Sequence, residues 1–193
     1  MLQKAEVIRE TIHNIGNDML EPVGYLLSGI IVGSLFLYFF EIAYYFFMKK
    51  SEKWEICYKK RWILFLSIIY VTVLLKLVYF SREPGSRSGI DINLLDIWGN
   101  SIIEHAYVIE NILMIIPFGI LFPSTFFSFR RCIRCIAIGC LCSISIEIMQ
   151  LISKRGFCQL DDIVLNTIGT AIGYIMYKLF FILFRKIFFR KLS

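Results

Sequence analysis

Five long apolar stretches alternate with short polar ones along this chain. They run from about Tyr25 to Met48, Trp62 to Phe80, Ala106 to Phe129, Cys135 to Ile152 and Ile163 to Phe184. A helix needs ~20 apolar residues to cross a hydrocarbon core of ~30 Å, so the pattern predicts five transmembrane helices. Ahead of them, Val7, Ile8, Ile12, Ile15 and Met19 recur near the helical period. Residues 1–24 therefore read as an N-terminal amphipathic segment lying on the membrane surface. "REPGSRSG" after the second stretch is a turn signal. Pro117, midway along the third, predicts a kink. No internal repeat or low-complexity linker interrupts residues 25–193. The expected fold is all-α, one polytopic membrane helix bundle.

Composition agrees: 58% of the 193 residues are hydrophobic, and 18 Phe and 10 Tyr suit lipid-facing surfaces and interfacial belts. The formal net charge of +6 lies in short clusters beside apolar segments. That excludes a nucleic-acid-binding face and fits loop charge that orients helices. No cleavable signal is evident in residues 1–24, so the first stretch is expected to stay as an anchor. The 49–61 connection has six Lys/Arg, the 130–134 turn three and the tail from 185 four, while the alternate connections have two each. The positive-inside rule then puts the N-terminus outside and the C-terminus in the cytoplasm.

This topology gathers the polar residues. Asn111 and Glu110 fall early in the third span, Glu147 and Gln150 late in the fourth, and Asp161, Asp162 and Asn166 early in the fifth. All lie toward the outer side. Glu147 and Gln150 are three apart and share a helix face. Charged groups at a bilayer centre cost ~2.5–3.5 kcal/mol each on insertion scales, so these are expected to face one another near water. Asn111, Glu147 and Gln150 should line a pocket, with Asn166 behind it. Arg87, Arg155 and Asp161 should rim it, Arg82 and Asn93 should lie above it, and Asp162 is a further candidate ligand-binding residue whose plainer role is to cap the fifth helix. Gly169 and Gly173, four apart, offer a small-residue face for a neighbouring helix, and Asn166 belongs to the same face. Taken alone, Asn166 reads equally well as interhelical glue worth ~0.6 kcal/mol. Glu41, in the first span, is paired in this reading with Lys76.

"ENILMIIPFGILFP" followed by "SIEIMQLISKRGFCQLDDIVLNTIGTAIGY", together with "GSRSGIDINLLDIW", resembles the VanZ-like family of small bacterial membrane proteins over residues 65–177. The resemblance carries over to Arg87, Asn93, Asn111, Glu147, Gln150, Arg155, Asp161, Asp162 and Asn166 as recurring polar positions. It carries over to Pro117, Gly119, Gly169 and Gly173 as turn and packing positions. It implies a place in the bacterial cell envelope and, through the family's namesake, a link to resistance to the glycopeptide teicoplanin. Many members have an acidic residue where this chain has Gln159, which weighs against any site needing three carboxylates in that loop.

Three chemistries follow. A binding pocket would hold an envelope lipid headgroup, a lipid-linked precursor or a glycopeptide, with arginines for phosphate and amides for hydroxyls. An enzyme on such a lipid would use Glu147 as general acid or base, with Asp161 and Asp162 as possible oxygen ligands for a divalent cation. Adjacent Asp residues at a helix start cannot both face one way, so no metal site is assigned and the cofactor stays unknown. Transport ranks last, because no repeat or broken-helix pair is visible. Cys132 and Cys135 form a C-x-x-C pair without the βαβ context of a thioredoxin site, and free thiols are expected throughout.

Overall fold

The computed structural model describes residues 2–48, 58, 60–85, 87–91 and 102–190. Five helices are long and apolar enough to cross a membrane, at Pro22–Phe46, Arg61–Phe80, His105–Thr125, Cys132–Ser153 and Leu160–Leu183. Helix α1 is Leu2–Ala43 and α2 is Arg61–Leu75. Helix α3 is Ile102–Thr125, α4 is Cys132–Ser153 and α5 is Leu160–Arg190. The bundle is the expected all-α one. The amphipathic segment and first span form a single helix that continues through Pro22, and α3 likewise continues through Pro117 and Pro123.

Helices α3 and α5 form the tightest seam, for a reason visible in single residues. A Cβ at Gly169 would collide with the side chain of Ile115 and the carbonyl of Ile112, and one at Gly173 with the carbonyl of Ile116. Gly119 makes the reciprocal approach against Thr170 and Gly173. Small residues let the two backbones touch, which is how helices associate where lipid offers no hydrophobic drive. Helix α4 closes on the same seam where Gly139 meets Thr170. Helix α1 packs on α2 through Gly29 and Gly33, against Ile69 and Phe65. The rest of α1 presents exposed Leu26, Leu27, Ile30, Ile31, Leu35 and Phe39, a surface suited to acyl chains.

Antiparallel packing of α1 and α2 corrects one expected ion pair. Glu41 lies opposite the start of α2 and faces Arg61 at 3.8 Å. Lys76, at the other end of α2, sits over the Tyr25 ring at 5.2 Å.

Two short strands were not foreseen. β1, Arg87–Asp91, and β2, Arg155–Gln159, pair in parallel from Arg87 opposite Arg155 to Asp91 opposite Gln159. Each is five residues long and lacks an alternating apolar pattern. Parallel strands need a long crossover, and here the α3–α4 hairpin supplies it. The ribbon ties the connection after α2 to the connection before α5, across the end of the bundle where the polar residues collect.

Candidate functional site

Each polar side chain of this end is placed by a local feature. Helix α2 finishes in a wide π-helical turn, Lys76–Phe80, a form that recurs at functional sites. Two side chains take carbonyls there: Gln150 Nε2 donates to the Val78 oxygen at 2.7 Å, and Arg155 donates to the Tyr79 oxygen at 3.1 Å. Helix α4 ends at Lys154 in the left-handed conformation, φ 54°, which turns the chain sharply into β2. β2 then runs straight into α5, so the Gln159 N–H stands at that helix's start and donates to Glu147 Oε2 at 2.9 Å. A carboxylate at a helix N-terminus is favourably placed against the macrodipole. Because a backbone amide holds Glu147, the side chain at Gln159 is immaterial to that contact.

These groups surround a cavity of about 110 Å³ lined by Arg82, Asn111, Glu147, Gln150, Asp162 and Asn166 over a floor of Leu74, Val78 and Ile115. Glu147 and Gln150 are 2% exposed and Asn166 6%. Asn111 Nδ2 donates to Asp162 Oδ1 at 2.9 Å, and Asn166 Nδ2 to Ser143 Oγ at 2.9 Å. Both amide nitrogens of the Gln150–Asn166 pair are thus committed, while Gln150 Oε1 and Asn166 Oδ1 are buried without a hydrogen-bond partner. Leaving a buried polar atom unpaired costs ~1–3 kcal/mol, so two on one cavity mark it out from ordinary packing.

Four of the expected pocket residues, Asn111, Glu147, Gln150 and Asn166, are therefore brought together. Two placements differ from those expected. Asp162 rather than Asp161 turns to the cavity; Asp161 is buried beside it and is not a lining residue. Arg155 is engaged within the protein: its Nη1 donates to the Tyr79 and Arg82 carbonyls, the latter at 2.8 Å, and its guanidinium lies over the Tyr79 ring at 4.8 Å. It is a clamp between β2 and the end of α2. Arg87 contributes backbone to β1, and Asn93 lies outside the described residues. Arg82, expected above the cluster in the connection after the second span, lines the cavity itself. Its Nη1 lies 2.6 Å from where a Gly156 Cβ would stand, and Gln150 Oε1 lies 3.4 Å from the same point, so the absent side chain of Gly156 makes room for the guanidinium. The available signal was its place, two residues past the end of an apolar span.

Around the cavity, burial first and then the neighbouring Glu147 carboxylate raise the Cys158 thiol above its ordinary range. No group of three or more His, Cys, Asp or Glu is arranged to hold a metal ion among the described residues.

No curated protein and no solved structure matches the chain. A family model does match, over residues 35–182. It reaches back into the first span, further than the motifs from residue 65 onward, and it includes every lining residue of the cavity: the chain belongs to the VanZ/LLP1 family.

Proposed function

We propose that this protein binds the polar part of a membrane-embedded cell-envelope ligand in the cavity among α2, α3, α4 and α5. The observation that carries the reading is the pair of buried, unpartnered amide oxygens, Gln150 Oε1 and Asn166 Oδ1, on a cavity that also holds Arg82, Asn111, Glu147 and Asp162. Groups placed only for helix packing would close on one another. The distribution of Lys and Arg favours an outer-leaflet position for the cavity, with the N-terminus outside and the C-terminus cytoplasmic. A ligand there is an envelope lipid, a lipid-linked precursor or the lipid-tailed end of a glycopeptide. Lowered susceptibility to teicoplanin is the biological outcome that the family's name supports. Arg87 and Asn93 belong to the same proposal as outer contacts, and Arg155 and Asp161 as residues that shape it.

A second reading has its own observation. Two carboxyl groups, Glu147 and Asp162, share the cavity with a guanidinium, an arrangement that suits proton transfer on a lipid-linked substrate with Glu147 as acid or base. Mass spectrometry of lipids that co-purify with wild type, Glu147→Gln and Asn111→Ala separates the two. Binding predicts one lipid species enriched on wild type and lost from both variants. Catalysis predicts a lipid that accumulates unmodified on Glu147→Gln alone. Identical lipids on all three folded proteins would contradict both.

A further inference from the structure

The polar cavity does not end in protein. Leu74, Leu77, Arg82, Asn111 and Met114 also line a second, mostly apolar space of about 410 Å³, whose other walls include Pro22 of α1, Tyr70 of α2 and Tyr107, Glu110, Leu113 and Pro117 of α3. Tyr107 and Leu113 are exposed, so this groove reaches the lipid-facing surface. At about 110 Å³ the polar cavity falls well short of the ~300 Å³ at which small-molecule pockets begin. The groove falls within that range. One amphiphile fits both: a small head in the cavity and an apolar chain in the groove, joined past Arg82.

The lining dictates what the head must offer. The unpartnered atoms are both oxygens, because the amide nitrogens of Gln150 and Asn166 already serve the Val78 oxygen and Ser143 Oγ. Glu147 and Asp162 add further acceptor oxygens and outnumber the one guanidinium. The head must therefore be rich in donors and carry positive charge. A primary ammonium has three donors and no acceptor. A hydroxylated head brings donors but no positive charge to set beside the two carboxyl groups. A quaternary ammonium brings charge without N–H donors.

We propose that the cavity takes the primary ammonium of a zwitterionic phospholipid headgroup, with the lipid phosphate at Arg82 and one acyl chain in the α1–α2–α3 groove. This rests on the reading of the cavity as a ligand site and specifies its ligand. Arg82, placed where cavity and groove meet, is the group suited to the phosphate.

The test uses full-length protein stripped of lipid in detergent. It is titrated with the dihexanoyl forms of phosphatidylethanolamine, phosphatidylglycerol and phosphatidylcholine, and with phosphoethanolamine alone, and binding is read by native mass spectrometry. The ethanolamine lipid should bind at least about tenfold tighter than the other two, and the free headgroup should not bind at the same concentrations. Asp162→Asn, which keeps an acceptor for Asn111, should erase the preference. Met114→Trp should weaken all three lipids by obstructing the groove. Equal affinity for the three lipids, or preference for the glycerol lipid, would overturn the ammonium assignment; if Asn166→Ala still abolished binding, the cavity would remain a ligand site. Affinities unchanged by Asn166→Ala would overturn the assignment and the underlying reading together.

Discussion

The two ends of the bundle use polar residues differently. Away from the cavity, polar groups close on one another: Ser67 Oγ and Thr125 Oγ1 share a hydrogen bond of 2.8 Å, Lys60 donates to the Ser124 oxygen at 3.0 Å, and Tyr174 donates to the Arg130 oxygen at 2.7 Å. Among the described residues there, only Arg130 Nε is buried without a partner, and its guanidinium rests over the Phe127 ring at 4.5 Å. At the cavity end the clamps are also closed, with Arg155 and Gln150 on the α2 carbonyls. Yet two residues with unpartnered amide oxygens, Gln150 and Asn166, line one cavity together with two carboxyl residues, Glu147 and Asp162. At the first end the polar residues only bond one another; at the second they also line a cavity of about 110 Å³. The residue types hardly differ, so polarity inside a membrane protein says little until the partners are known.

The α3–α5 seam should matter most, since both ends hang on it. Gly173→Leu places a side chain against the Ile116 carbonyl and is expected to cost about 3 kcal/mol or more. The check is loss of the monodisperse species in detergent size-exclusion chromatography. Gly156→Ala comes next, because a methyl there collides with Arg82 Nη1 at 2.6 Å. It should weaken binding of a phosphate-bearing lipid about tenfold, equivalent to ~1.4 kcal/mol, with little change in melting temperature. Ser67→Ala breaks a bond at the closed end and should lower stability by about 0.6 kcal/mol, leaving ligand binding intact. Lys154→Gly should act in the opposite sense. It relieves a non-glycine residue at φ 54° and should stabilise by about 1 kcal/mol at most, seen as a slightly raised melting temperature.

Much of this was legible in the sequence. Apolar run length gave five spans whose limits agree with those of the structure to within four residues. Gly169, Gly173 and Asn166 on one face pointed correctly to the α5 seam. The convergence of Asn111, Glu147, Gln150 and Asn166 followed from topology and helix phase. What was hidden depended on tertiary partners. β1 and β2 have no alternating pattern, because their pairing is local to the bundle's end. Arg82 and Arg155 are both arginines in polar connections, and only the tertiary contact of Arg155 with the Tyr79 and Arg82 carbonyls makes it a clamp while Arg82 lines the cavity. Asp161 and Asp162 are adjacent acids at a helix start, and their roles separate only through the position of Asn111 on α3.

The central claim is that the cavity end is a ligand site and the other end is not. Thermal unfolding in detergent with and without a bacterial lipid extract tests it most directly, on wild type, Asn166→Ala and Ser67→Ala. A ligand at ~100 times its dissociation constant adds ~2.7 kcal/mol to stability. The account predicts that the extract raises the melting temperature of wild type and Ser67→Ala alike and leaves Asn166→Ala unmoved. An equal rise in all three proteins would contradict it, and would make Gln150, Asn166 and their neighbours part of the packing of the bundle.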